Sequence, residues 1–151
     1  DAAITLGTDP KEIRAGVEDL RKALKGKTIG IASGTIYTSF IDQNFKDVAT
    51  IREYGSSSEA ILDLQSGRID VAFDDVTFFN SLMDKPENKS LVYTGPVIKG
   101  PIWGEGEALG FRQNDVELKA KFDAALKEAM ADGTIKTLSE KWFKQDLTPK
   151  Q

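Results

Sequence analysis

From residue 10 onward the apolar positions change their spacing several times, and each change marks an element. Ile13, Val17, Leu20 and Leu24 recur every three or four residues, the spacing of one helix face, behind an Asp9-Pro10 start signal and ahead of a Gly26 stop. Lys22, Lys25 and Lys27 crowd the end of that helix, where positive charge offsets the helix dipole. Residues 28–32 (TIGIA) read as a short apolar strand, 36–45 as a helix and 48–54 as extended chain. Residues 58–65 (SEAILDLQ) read as a helix ending at Gly67, and 69–73 (IDVAF) as extended again. This βαβαβ order predicts an α/β fold, a mainly parallel sheet flanked by helices, with ligands expected beyond the carboxyl ends of the strands.

The remaining stretches are less regular. Residues 3–6 form a possible first strand, 76–82 a further helix, and 90–94 (SLVYT) a fourth strand of the run, after a polar stretch containing Pro86. Residues 95–106 (GPVIKGPIWGEG) carry four Gly and two Pro, the composition of a loop or crossing segment and the best internal boundary. Residues 108–112 (ALGFR) read as one more strand, with Asn114 or Asp115 available to cap the long helix that follows. Leu118, Phe122, Ala125, Leu126, Ala129 and Met130 make that helix's apolar stripe. Asp132-Gly133 ends it, and 135–143 supplies a shorter helix with Ile135, Leu138 and Trp142 on one side.

Composition narrows the chemistry. In 151 residues there is no Cys and no His, which removes disulfides, Cys/His zinc sites, thiol nucleophiles and imidazole bases; no cofactor motif is present either. The 24 acidic and 20 basic residues give a formal net charge of −4, against a broad nucleic-acid or anionic-membrane footprint. The longest apolar runs fall far short of the roughly 20 residues that span a bilayer, so the chain reads as soluble, in a compartment that composition leaves open.

Two junctions carry candidate chemistry. Ser33-Gly34-Thr35, with Ile36, follows the TIGIA strand and opens a helix, where a sharply turned backbone, first-turn N–H groups and hydroxyls can hold a carboxylate or a phosphate. The triplet is too short for a P-loop, and an ordinary capped helix is the bland reading. Asp74-Asp75 follows IDVAF and opens the next helix; either acid can cap that helix, or hold a cation. If the strands are parallel, both junctions leave the same sheet edge, an anion holder beside a cation holder, as a zwitterionic amino acid requires. Glycoside cleavage by paired carboxylates is disfavoured because adjacent acids do not flank one bond, and Glu105 or Glu107 would have to come from a loop. Trp103 reads first as an anchor for its Gly/Pro-rich loop and second as a cleft wall.

Taken together, LKGKTIGIASGTIYTSF, LDLQSGRIDVAFDD, YTGPVIKGPIWGEGEALGFRQND and ELKAKFDAALKEAMADGTIKTLSEKWF resemble the polar amino-acid and opine subgroup of periplasmic solute-binding proteins. The resemblance implies a type II periplasmic-binding-protein lobe, residues 1–111 with the crossing segment, and C-terminal helices, residues 112–151, that pack on a first lobe absent from this sequence. It implies no catalysis and no metal, a periplasmic location, a cationic amino acid or opine as ligand, and the membrane subunits of an ABC transporter as partners. Thr35, with the backbone N–H groups of Thr35 and Ile36, would meet the ligand carboxylate, while Ser33 and Gly34 shape the turn. Asp75 would accept from the α-ammonium, with Asp74 beside it. Arg14, Arg21, Arg52, Arg68 and Arg112 lie outside the family's carboxylate-gripping motif. Without a first lobe, exposed apolar surface would favour dimers or domain exchange. Two other readings stay open: a periplasmic amino-acid dehydratase-like enzyme, and a sensory or stand-alone interaction domain derived from one lobe.

Overall fold

The computed structural model describes residues 10–95, 98, 103 and 108–149. The chain forms two compact units, Asp1–Glu105 and Gly106–Gln151. In the first, α1 (Pro10–Leu24), β1 (Thr28–Ala32), α2 (Ile36–Phe45), β2 (Thr50–Tyr54), α3 (Ser57–Gln65), β3 (Val71–Ala72) and α4 (Val76–Met83) follow in order, ending in a 3-10 turn at Pro86–Asn88. The three strands are parallel in the spatial order β2-β1-β3, with Ile29 opposite both Ile51 and Val71.

β1 is central and buried on both faces, which explains its unbroken apolar sequence. Ile29 and Ile31 point to one side and pack with Val17 of α1 and with Phe40, Ile41 and Phe45 of α2. Gly30 points to the other. A Cβ there would lie 2.5 Å from Ile69 Cδ1, 3.0 Å from the Tyr54 ring and 3.4 Å from Ala60 Cβ, so the missing side chain lets α3 approach the sheet. Outside this layer Arg21 at the end of α1 makes a paired contact with Asp47, at 2.8 and 2.6 Å, and also reaches the Asn44 carbonyl.

On the α3 side, Asp63 collects three partners from β2 and the α3–β3 turn. Arg68 donates to one oxygen at 2.8 and 2.5 Å, and the Tyr54 hydroxyl and Arg52 donate to the other at 2.8 and 3.2 Å. The Arg68 contact first, then Tyr54, holds the carboxyl down at about 2. α3 itself starts in a capping box: Ser56 Oγ accepts from the Glu59 N–H, and Glu59 accepts from the Ser56 N–H at 3.1 Å.

Several expectations shift. β2 begins at Thr50, not residue 48, and α3 and α4 are each one residue longer than the pattern suggests. β3 shrinks to two residues, although Asp70 and Phe73 still donate to the Thr28 and Gly30 carbonyls at 3.0 Å. Residues 90–94 form no strand: together with Val71 and Ala72 they line a groove of about 390 Å³, and Val92 is 82% exposed. The possible strand at 3–6 lies outside the described residues.

The second unit contains α5 (Val116–Ala131) and α6 (Thr134–Phe143). Residues 108–112 are not a strand, since this unit offers only helices among its described residues and hence no ladder partner. Asp115 sits at the N-cap of α5 without a side-chain cap bond, lying 3.7 Å from Arg112 instead. The expected stripe exists but is not covered: Leu118, Phe122 and Leu126 are 40–47% exposed, as are Leu138 and Trp142 on α6 to equal or greater degree. No described helix is long and apolar enough to cross a membrane.

Two predictions follow from this packing. Gly30→Val forces a side chain into Ile69 and Tyr54 and is expected to cost about 1–3 kcal/mol in urea unfolding. Because the Asp63 pKa falls on folding, its stabilisation is complete above the unfolded value of about 3.9 and disappears as pH drops through the folded value of about 2. Asp63→Asn should therefore lower the melting temperature at neutral pH, and the gap to the unaltered protein should narrow between about pH 4 and pH 2.

Candidate functional site

The site is built from two equivalent junctions. β1 and β3 are adjacent and parallel, with Gly30 opposite Ala72, so the chain leaves both strands at the same sheet edge. Three residues beyond the strand, each path enters a helix: Thr35 is the N-cap of α2 and Asp75 the N-cap of α4.

The first junction is a turn made by Ser33 and Gly34. Ser33 is tied back to β2, its N–H and hydroxyl both donating to the Tyr54 carbonyl, at 2.9 and 3.1 Å. Gly34 has φ +71, the left-handed region, and a Cβ there would meet open space, so the backbone angle alone requires glycine. The Thr35 hydroxyl donates to the Ala32 carbonyl at 2.9 Å and makes no cap bond to α2. Its hydrogen is thus committed, and the groups that this junction can offer an anion are first-turn backbone N–H groups, those of Ile36 included.

The second junction is filled by a carboxylate. Asp75 Oδ1 accepts from the Thr77 N–H at 2.6 Å and from the Thr77 hydroxyl, an ordinary N-cap. Asp75 Oδ2 accepts from the Tyr37 hydroxyl at 3.3 Å. Asp74 Oδ1 accepts from the Asp75 N–H at 2.7 Å, so this acid braces the same turn. Tyr93 lies edge-on to Phe79 at 5.9 Å, and its phenol is pushed up, by burial first and by the negative charge of Asp75 second.

Ser33, Gly34, Thr35, Ile36, Asp74 and Asp75 are therefore brought to one sheet edge, with Asp75 both a helix cap and an acid with one oxygen turned to Tyr37. Sequence reasoning missed Tyr37 and Tyr93. Tyr37 stands two positions after Thr35, in the first turn of a helix already expected to flank the site, which was the available signal. Trp103 packs its ring 5.5 Å from Tyr37 and 5.0 Å from Phe40, and its Nε1 donates to the Ile98 carbonyl at 2.7 Å, so it anchors its loop to this unit. Four of the five arginines outside the family motif have local partners: Arg21 with Asp47, Arg52 and Arg68 with Asp63, Arg112 with Asp115. Glu105 and Glu107 lie outside the described residues. Among those described, no three acidic side chains gather as a metal site would require.

The arrangement of two helix N-termini at one edge of a parallel sheet is that of a small-molecule binding lobe. The chain belongs to the bacterial extracellular solute-binding proteins, family 3, whose family model matches residues 2–145. It is similar to the octopine-binding periplasmic protein of Rhizobium meliloti, 33% identical over 96% of this chain and 55% of that protein. It is also similar to the putative ABC transporter arginine-binding protein 2 of Escherichia coli (strain K12), 35% identical over 81% of this chain and 49% of that protein. A solved structure, an ancestral arginine-binding protein bound to arginine, superimposes with a TM-score of 0.66 at 28% identity, over 82% of this chain and 53% of that one. The chain thus spans about half the length of the relatives it matches.

Gly34→Ala puts a side chain in the left-handed region and is expected to cost about 1–2 kcal/mol in thermal or urea unfolding. Because the added methyl meets nothing, relief by repacking is not available, and an unchanged stability would contradict the turn described.

Proposed function

We propose that this chain supplies one lobe of a two-lobe extracytoplasmic receptor that captures a cationic amino acid or an opine in the periplasm and delivers it to the membrane subunits of an ABC transporter. Residues 1–111 would form the second lobe with its crossing segment, and residues 112–151 would pack on a first lobe not contained in residues 1–151. The exposed stripe of α5 supports that packing, since an uncovered row of Leu118, Phe122 and Leu126 is a surface suited to burial.

In this reading the backbone N–H groups of Thr35 and Ile36 receive the ligand carboxylate, the Thr35 hydroxyl stays on the Ala32 carbonyl, and Asp75 receives the α-ammonium. Asp74 contributes negative charge and holds the turn. Closure of the two lobes excludes water and strengthens both charge-assisted contacts, so recognition is completed by a conformational change and involves no bond-making step. The observation that carries the reading is the shared edge: the α2 junction and the Asp75 carboxylate are joined by the 3.3 Å contact from the Tyr37 hydroxyl. The names of the octopine- and arginine-binding relatives support the ligand class.

The test is isothermal titration of the full-length protein with L-arginine, L-lysine and octopine, before and after Asp75→Asn. A hydrogen bond to a charged group is worth about 1.5–3 kcal/mol, so affinity for L-arginine should fall about tenfold to a hundredfold. An undiminished affinity, or no binding of any of the three ligands by the unaltered protein, would remove the proposal.

A further inference from the structure

We propose that Tyr37 is a positioning residue for ligand binding, the strut that fixes the one Asp75 oxygen left to accept from a ligand's ammonium group. The inference rests on the reading of Asp75 given above and deepens it. An ionised carboxylate has about four lone-pair directions, two on each oxygen. On Asp75 the Thr77 N–H and hydroxyl both use Oδ1, and the Tyr37 hydroxyl uses one direction on Oδ2. Among the described residues, what remains for an incoming donor is the second direction on Oδ2, and its aim is set by where the phenol holds that oxygen.

The phenol is itself held. The Tyr37 ring meets Phe73 edge-on at 5.9 Å and Trp103 edge-on at 5.5 Å, and both of those rings also pack on buried Phe40. Phe73 lies just past β3 on the path to Asp75, so this contact ties the helix that follows β1 to the chain leaving β3. A side chain whose ring is packed in this way and whose hydroxyl ends on the ligand-facing acid has a packing part and a polar part that can be separated. Phenylalanine keeps the first and deletes the second.

The experiment uses the full-length protein and two probes, L-arginine and 5-guanidinopentanoate, which is arginine without its α-amino group, titrated into the unaltered protein, Tyr37→Phe, Asp75→Asn and the double variant. At 3.3 Å the hydroxyl contact is long, so Tyr37→Phe should weaken L-arginine by about threefold to tenfold while leaving 5-guanidinopentanoate within about twofold. In the Asp75→Asn background the Tyr37 substitution should have no further effect on L-arginine, the non-additivity expected of residues acting through one contact. Unchanged L-arginine affinity in Tyr37→Phe overturns the proposal, and so does an equal loss for both probes, which would mark a role in packing only. If Asp75→Asn leaves L-arginine binding intact, or the unaltered protein binds no L-arginine, the underlying assignment of Asp75 fails and this one falls with it; an Asp75 effect without a Tyr37 effect overturns this inference alone.

Discussion

Parallel pairing of β1 with β3 is the constraint on which the rest of the candidate site depends. Because both strands run the same way and Gly30 sits opposite Ala72, the chain reaches the same sheet edge twice, and each time it turns into a helix three residues later. Ser33, Gly34 and Thr35 are 39 to 42 residues from Asp74 and Asp75 in sequence only because a whole βαβαβ circuit separates neighbouring strands. Antiparallel pairing of the same two strands would send the acid to the opposite edge, where no zwitterion could touch both groups.

That pairing is kept by packing on both faces of β1. On one side the aliphatic and aromatic cluster of Ile29, Ile31, Phe40, Ile41 and Phe45 is almost wholly removed from water and supplies the nondirectional part of the stability. On the other side Gly30 lets α3 come close, and the Asp63 contacts with Tyr54, Arg52 and Arg68 lock α3 to β2 and to the turn into β3. The polar staple adds direction to a layer that apolar burial alone would leave free to slide. It reaches the edge that carries Thr35 through Tyr54, whose hydroxyl donates to Asp63 and whose carbonyl accepts from the Ser33 N–H and hydroxyl.

How much of this was legible in the sequence depends on the range of the interaction that decides each feature. The limits of β1 and α2 follow directly from TIGIA and the Ser-Gly-Thr turn, because local signals and burial agree there. α3 begins one residue early because Ser56 and Glu59 form a capping box, a local pattern present in the sequence and not used. Residues 90–94 have the β-branched and aromatic content of a strand, yet strand formation needs a ladder partner, and the sheet β2-β1-β3 does not pair with them. The family membership was readable from the order of motifs. The Tyr37–Asp75 contact was not, because it spans 38 residues and depends on the register of β1 against β3 and on a rotamer held by Trp103.

The two junctions also show how one backbone device yields opposite charge preferences. Every helix N-terminus carries unpaired N–H groups and the positive end of the helix dipole, equivalent to roughly half an elementary charge. At α2 the cap residue Thr35 turns its hydroxyl back to the Ala32 carbonyl, so the positive end of the helix is left without a side-chain cap. At α4 the cap residue Asp75 places a full negative charge on the same kind of helix end, over-compensating the dipole and leaving Oδ2 as an acceptor. The two helix ends thus differ chiefly in whether the residue three positions past the strand is a threonine or an aspartate. Their polarity is fixed by side chains while their separation is fixed by the sheet, so one residue sets the charge at each junction and the β1–β3 register sets the distance between them.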